Sequence, residues 1–150
     1  MDTRAMLDSM ERVLEKSGIG ILATVDADDR PHVRWMTPAV VRGRDGFLFA
    51  VTSPEFKKAA EASGNPAVEW QIQTKSLDEI VTVRGQMSVV DNAAAKAEVL
   101  EAIGGKLGTF WKINPDESSL VVLETAIEEI IYFKPTSGDR SSAQFGGIHG

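Results

Sequence analysis

The sequence predicts a mainly β fold, an antiparallel barrel of six or seven strands with about three helices. Apolar and polar residues alternate along several short segments, which is the period of a half-buried strand. Clusters of Gly, Pro, Asp and Asn separate these segments, as expected for tight turns. A closed or split barrel is favoured because closure removes exposed strand edges. A flat α+β sandwich is the alternative.

Three segments carry the signals of helices. In the first, apolar residues recur at three- and four-residue spacing from Met6 to Leu14, as on the buried face of an amphipathic helix. The second opens on a serine N-cap followed by a proline, which is well suited to the first helical position. The third is rich in alanine. The residues predicted to begin and end these helices are Asp2 or Thr3 with Gly18, Ser53-Pro54 with Gly64, and Asp91 or Asn92 with Gly104-Gly105.

The remaining apolar segments are predicted strands. The first three are joined by short polar turns and are expected to form an antiparallel meander. In the fifth, Gly85 indicates a bulge or a close approach of two backbones. The last segment supplies one long bent strand or a final hairpin. The predicted strands span residues 19–25, 32–41, 47–52, 67–74, 79–90, and 120–123 with 127–133.

The chain of 150 residues is predicted to form one domain over residues 1–134. This length is near the commonest domain size and allows a core without disulfides or metals. No internal repeat or shift in composition marks a second domain. From Pro135 onward the apolar pattern stops, so residues 135–150 are predicted to be a flexible C-terminal tail.

Composition excludes several classes of function. The formal charge of −6, without a basic patch, argues against nucleic-acid and anionic-membrane partners. The absence of cysteine excludes disulfides, thiolate nucleophiles and cysteine-based metal sites. Two histidines far apart in the chain predict no metal site. No apolar run suits a signal peptide or a membrane span, so the cytoplasm is the predicted compartment.

No motif assigns a catalytic residue. The string at residues 18–23 matches the dinucleotide-binding fingerprint in its letters, but it follows a helix and begins a strand, the reverse of the required context. The Gly-x-Ser-x-Gly elbow of hydrolases is absent. Adjacent acids are more simply interpreted as solvated surface charges than as an acid–base pair.

Residues 33–66 hold the candidate binding chemistry. On a strand, Arg34 points to the same face as His32 and Met36, with Trp35 on the opposite face. That face therefore combines the apolar Met36 with the cationic Arg34. Position alone favours an exposed or acid-paired arginine, because charges normally lie outside.

The next strand and helix add groups that suit a phosphate. Thr52 and Ser53 end the strand, and Lys57 and Lys58 follow in the first turns of the helix. Free N–H groups at a helix start, a lysine and a forked guanidinium together hold a phosphate monoester well. An exposed helix face is the alternative for the two lysines. The spacing thus predicts a site for a phosphorylated ligand.

These motifs, in this order, resemble the FMN-binding core of the pyridoxamine 5′-phosphate oxidase-like split-barrel superfamily. The branch that they resemble most is its short general stress protein-like FMN-binding proteins. The likeness covers residues 14–132, and the order and spacing of the motifs carry it. The motifs are His32-Val-Arg34-Trp-Met36, Phe47-Leu-Phe-Ala-Val-Thr52-Ser53, Lys58 with Asn65-Pro66, residues 83–91, Phe110-Trp111 with Pro115-Asp116, and residues 120–123.

The resemblance implies a homodimer with FMN at the subunit interface. It places backbone contacts to the flavin ring on residues 33–36, with Arg34 also reaching ribityl or phosphate oxygens. The phosphate is held by residues 52, 53 and 58, while Gln86 approaches the ribityl chain. Trp111 covers the flavin from the partner subunit or packs in the interface without touching it. The implied cofactor-binding residues are Val33, Arg34, Trp35, Met36, Thr52, Ser53, Lys57, Lys58, Gln86 and Trp111.

The resemblance further implies a flavin-dependent oxidoreductase of unknown substrate, with NAD(P)H or a small molecule as its partner. Pyridoxamine oxidation is not expected, because Arg140 and His149 do not restore the C-terminal substrate-binding segment of the vitamin B6 oxidase. A flavin-binding stress-response protein without turnover is the first alternative. The same barrel holding a deazaflavin or haem is the second, with His32 as weak support for haem.

Overall fold

The structure is a computed structural model that describes residues 2–104 and 120–146. These ranges contain three helices and seven strands, so the predicted mainly β fold is confirmed. In chain order the elements are α1 (Thr3–Ser17), β1 (Gly20–Val25), β2 (Pro31–Met36), β3 (Phe47–Thr52), α2 (Pro54–Ser63), β4 (Ala67–Gln73), β5 (Ile80–Val89), α3 (Ala93–Ile103), β6 (Val121–Lys134) and β7 (Asp139–Gln144).

All seven strands belong to one antiparallel sheet with the order β2-β1-β4-β5-β6-β3, and β7 also pairs with β6. The long strand β6 holds three partners. β5 follows one of its edges, while the other edge pairs with β3 along residues 121–126 and with β7 along residues 129–134. In the described ranges the sheet is open rather than closed, which matches a split barrel.

The predicted three-stranded meander is wrong for its third member. β1 and β2 pair as a hairpin, but β3 pairs with β6 and meets the preceding segment only through a bridge between Ala39 and Phe49. β2 also ends at Met36, earlier than predicted. Pro38 accounts for the early end, because proline has no N–H to donate to a strand ladder.

The close pairing of β5 and β6 explains why residue 85 is a glycine. The register between these strands shifts between Arg84 and Gly85, so the predicted bulge is present. A Cβ atom at Gly85 would lie 2.2 Å from the carbonyl oxygen of Ala126, which only glycine avoids. The last predicted segment is one long strand rather than a hairpin.

Strand β7 lies in the segment that the sequence predicts to be a flexible tail. Residues 139–144 pair with β6, and the N–H of Phe145 donates to the carbonyl of Glu128 over 2.8 Å. Ala143 and Phe145 are buried. The tail prediction fails here because backbone hydrogen bonds hold a mostly polar strand, and only these two apolar side chains reach the core.

Helix α1 packs its apolar face against the sheet. Its predicted ends are confirmed: Asp2 accepts the N–H of Ala5 at 2.7 Å, and Gly18 ends the helix with a φ of 76°. The side chains that α1 buries are Met6, Leu7, Ser9, Met10, Val13 and Leu14.

A buried carboxylate fastens α1 to the sheet. Glu79, just before β5, accepts hydrogen bonds from the hydroxyl of Tyr132 at 2.5 Å, from Arg12 at 2.5 Å and from Lys16 at 3.1 Å. The Tyr132 and Arg12 hydrogen bonds, in that order, lower the pKa of Glu79 to about 2. The carboxylate is therefore charged and paired.

Candidate functional site

A cavity of about 340 Å³ opens between the β1–β2 hairpin, one side of α2 and the end of β5. This volume lies in the range of small-molecule sites, about 300–1,000 Å³. The wall is mostly apolar and carries a few charged groups. Side chains on it include Asp26, His32, Arg34, Phe56, Glu61 and Met87.

Arg34 extends from β2 against α2. Its Cζ lies 4.6 Å from the ring centroid of Phe56, which is a cation–π distance. Its Nη1 is buried and has no hydrogen-bond partner among the described residues. Burial lowers the pKa of Arg34, yet a guanidinium stays protonated at ordinary pH. A buried, charged donor without an acceptor is suited to receive an anion.

The rim of the cavity carries a hydrogen-bonded pair, Asp26 and His32. The Oδ1 of Asp26 accepts the backbone N–H groups of Asp28 at 2.8 Å and Arg30 at 3.0 Å. Its Oδ2 lies 2.7 Å from Nε2 of His32. The hydrogen bond from His32, and next that from the Arg30 backbone, lower the pKa of Asp26. The β1–β2 turn thus fixes a carboxylate that in turn fixes an imidazole.

The N-terminus of α2 forms the second basic region. Ser53 is its N-cap and Pro54 its first residue, as predicted, and the Ser53 side chain makes no capping hydrogen bond. Lys57 lies 3.9 Å from a carboxylate oxygen of Glu61 and 3.7 Å from one of Asp91. Lys58 is exposed and has no ion-pair or hydrogen-bond partner in the described part of the chain. Of the two lysines, Lys58 is the one available to a ligand.

The structure divides the predicted cofactor residues among several places. Arg34 lines the cavity and shares its face of β2 with His32 and Met36, opposite Trp35, as predicted. None of the other predicted residues within the described ranges lines the cavity. Thr52, Ser53, Lys57 and Lys58 lie at the β3–α2 junction, Val33 and Trp35 are exposed on the outer face of β2, Met36 is buried in the core, Gln86 is exposed on β5, and Trp111 lies outside the described residues.

Two contacts of the cavity have no signal in the sequence. Strand alternation places His32 beside Arg34, but the partner of His32 comes from a turn, where spacing does not indicate pairing. Helical spacing predicts that Phe56 lies on the apolar face of α2. It does not predict that the ring of Phe56 stacks on the Arg34 guanidinium. Both contacts depend on how β2 meets other parts of the chain.

Two kinds of site are absent from residues 2–104 and 120–146. No three acidic or histidine side chains cluster there as a metal site would require. No helix there has the length and apolar character needed to cross a bilayer.

Residues 6–134 match the model of the pyridoxamine 5′-phosphate oxidase family. The chain belongs to this family. The matched range runs from α1 to the end of β6 and so includes both the cavity and α2. The family resemblance inferred from the motifs is confirmed.

Proteins similar to this chain include an oxidase and a protein related to a general stress protein. A pyridoxine/pyridoxamine 5′-phosphate oxidase of Sphingopyxis alaskensis is 38% identical over 76 residues, which are 51% of this chain and 34% of that protein. The match therefore spans about a third of that relative's length. A solved structure from Clostridium acetobutylicum, related to general stress protein 26, has a TM-score of 0.71 and 15% identity, covering 99% of each chain.

Two further solved structures share the fold of this pyridoxamine 5′-phosphate oxidase family member. An FAD-binding protein from Mesorhizobium loti has a TM-score of 0.63 and 22% identity, covering 81% of this chain and 88% of that one. A haem-binding protein from Mycobacterium smegmatis has a TM-score of 0.67 and 18% identity, covering 93% of this chain and 57% of that one. At these identities the likeness establishes the fold alone.

Proposed function

We propose that this protein binds FMN and acts as a flavin-dependent oxidoreductase. Two observations of Arg34 carry the proposal: the residue lines a mostly apolar cavity, and its buried Nη1 has no hydrogen-bond partner among the described residues. A phosphorylated flavin has an anion for the guanidinium and a flat, largely apolar body for the wall. The family match, and the FAD-binding protein of the same fold, support a flavin.

The start of α2 supports a site for the phosphate. The N-terminal end of a helix attracts anions through its free N–H groups and its dipole. Lys58 is unpaired there, and Phe56 of the same helix contacts the Arg34 guanidinium. Thr52 and Ser53 add two hydroxyl groups at this junction. These groups would hold the phosphate from two sides.

When bound, the flavin supplies hydride or electron transfer. The chain contributes binding and orientation. Arg34 and Lys58 neutralise the phosphate, and the apolar wall near Met87 excludes water from the ligand. The backbone of residues 33–36 is the proposed contact of the flavin ring.

An exposed apolar patch supports a homodimer. Ile19, Ile21, Val33 and Trp35 are 48%, 38%, 70% and 55% exposed. Ile21 and Trp35 are directly opposite each other on β1 and β2. Large apolar side chains that are exposed next to one another are typical of protein contacts. Burial of this patch by a second copy would place β2, the strand that carries Arg34, at the subunit interface.

Flavin titration tests the cofactor. We expect the purified protein to be yellow, or to take up FMN with quenching of flavin fluorescence. Riboflavin, which lacks the phosphate, should bind at least about tenfold more weakly, since it loses charge-assisted hydrogen bonds. Protein that is colourless and takes up no FMN would refute the proposal. The absorption spectrum of a haem or a deazaflavin in the purified protein would show that the cofactor is not FMN.

Anaerobic reduction tests the activity. Addition of NADH or NADPH to the FMN-loaded protein without air should bleach the flavin absorbance. If the colour persists with both donors, the protein binds flavin but neither NADH nor NADPH reduces it.

Gel filtration tests the proposed dimer. The elution volumes of the wild type and of Trp35→Ser, compared in the same buffer, show whether Trp35 contributes to the dimer interface.

A further inference from the structure

The guanidinium of Arg34 is held by an aromatic ring rather than by an acid. Its Cζ lies 4.6 Å from the ring centroid of Phe56. Within the described ranges the Arg34 side chain makes no hydrogen bond and no ion pair, and its Nη1 is buried. The contact with the Phe56 ring is therefore the one specific interaction that the described residues offer to this charged group.

The acids on the cavity wall do not compete for this guanidinium. Asp26 faces Nε2 of His32 at 2.7 Å, and Glu61 faces the ammonium group of Lys57 at 3.9 Å. A carboxylate paired with Arg34 would occupy its N–H donors. An aromatic ring instead attracts the cation through its π electrons and leaves the donors free. Arg34 is thus held in a way that preserves its capacity to bind an anion.

Phe56 is itself fixed in the first turn of α2. It is the third residue of the helix Pro54–Ser63, and its N–H donates to the carbonyl oxygen of Ser53, the N-cap, over 3.2 Å. Its ring is partly buried and packs against the core, although α2 buries no side chain completely. The ring therefore ties the Arg34 guanidinium to the N-terminal end of α2, the end that also carries Lys58.

We infer that Phe56 is a positioning residue for anion binding: its ring fixes the Arg34 guanidinium and leaves the N–H donors open to the ligand. A phenyl ring has no hydrogen-bonding group, so Phe56 acts on the anion through Arg34. With leucine at position 56 the guanidinium would be free to move, and ordering it on ligand binding would then cost free energy. The inference rests on the proposed function, because the phosphate of FMN is the anion that Arg34 would receive.

A double-mutant cycle measures this role. FMN affinity is determined by fluorescence titration in the wild type, Phe56→Leu, Arg34→Met and the double variant. We expect Phe56→Leu to weaken binding roughly fivefold, the loss of one cation–π contact. In the Arg34→Met background the same substitution should change affinity by less than about twofold, because the group that the ring positions is gone. Phe56→Tyr retains a ring and should bind FMN as the wild type does.

The same cycle detects a merely structural role. If Phe56 only packs the cavity wall or touches the flavin directly, Phe56→Leu will weaken binding equally with and without Arg34, and that result overturns the inference. Val40→Ala is the matched control, because Val40 is also partly buried against the same core but does not line the cavity. It should lower the free energy of unfolding and leave FMN affinity unchanged.

NMR of the arginine side chains tests the inference even if the wild type binds no FMN. Arg34→Met identifies the Nε–H signal of Arg34 by its loss. This group should be rigid in the wild type and in Phe56→Tyr, and mobile on the picosecond to nanosecond timescale in Phe56→Leu. Inorganic phosphate should shift the signal at lower concentration in the wild type than in Phe56→Leu. These results would support the positioning role although the flavin proposal had failed. Equal mobility in the wild type and Phe56→Leu, or no shift with phosphate or FMN, overturns it.

Discussion

Arg34 and Glu79 are partly or fully buried charges that the fold treats in opposite ways. Glu79 has three donors around its carboxylate, from α1 and β6, and its pKa is lowered to about 2. Arg34 stacks on Phe56 and leaves Nη1 buried without an acceptor. One charge is satisfied within the chain, and the other has unused bonding capacity.

The difference separates structural from ligand-binding charges. A paired carboxylate between a helix and a sheet stabilises the contact between them. An unpaired guanidinium N–H costs stability in the free protein and recovers it when a ligand supplies the acceptor. Substitutions at the two sites should therefore affect different observables.

The largest expected effect is on ligand affinity at Arg34. Arg34→Met retains an apolar side chain over Phe56 but removes the charge and the donors. FMN binding should weaken by about 3 kcal/mol, the upper end for hydrogen bonds to charged groups. Thermal stability of the free protein should be unchanged or higher, because the unpaired donor is gone. Retained affinity in a fluorescence titration would remove Arg34 from the site.

Glu79→Gln should show the opposite pattern. The amide keeps the shape but not the charge that Arg12 and Lys16 face, so urea unfolding should give a loss of about 2 kcal/mol. FMN affinity should be unchanged. Glu98→Gln, which breaks an exposed pair with Arg44, is the control and should change stability little. A loss of flavin affinity in Glu79→Gln would contradict the separation of the two sites.

Lys58→Ala should weaken FMN binding by about 1.5 kcal/mol, the lower end for a charged hydrogen bond, because Lys58 is exposed. Lys57→Ala on the same helix turn is the matched control. Lys57 already faces Glu61 and Asp91, so its loss should change affinity less. Equal losses in the two variants would mean that only the general positive charge of α2 matters.

Lowering the pH should gradually remove the contribution of Glu79 to the free energy of unfolding. Its folded pKa of about 2 lies below the ordinary value of 4.5, so the stabilisation is complete above pH 4.5 and is lost as the pH falls towards 2. Its partners Arg12 and Lys16 are half exposed, and solvent screening reduces the expected loss between pH 5 and pH 3 to about 1 kcal/mol. Glu79→Gln should flatten this part of the stability profile, which urea unfolding at several pH values measures. An unchanged slope would assign the acid sensitivity to other carboxylates.

Local chemical signals predicted the elements well, and pairing over long sequence distance was predicted poorly. Strand β3 has the predicted bounds, and Ser53-Pro54 begins α2 as expected, because these signals lie in adjacent residues. The partner of β3 is β6, far along the chain, and no local pattern indicates it. The same limit explains β7, whose polar sequence forms a strand only because β6 offers a free edge.

The site follows the same rule. The face of β2 that carries Arg34 is predicted by alternation, since successive side chains on a strand point in opposite directions. The stacking of Phe56 and the pairing of Asp26 with His32 join separate elements and are visible only in the folded chain. Trp111 lies outside the described residues, so its predicted role at the flavin stays a prediction.

The three partners of β6 also determine when the sheet can assemble during synthesis. β3 is made early, yet the residues with which it pairs, 121–126, leave the ribosome much later. Until then the apolar strand Phe47–Thr52 lacks the neighbour that covers one of its edges. Such an exposed edge is prone to pair with other chains. The nascent protein therefore exposes this edge until residues 121–126 have been made, and a chaperone bound in that interval would keep the edge from pairing with other chains.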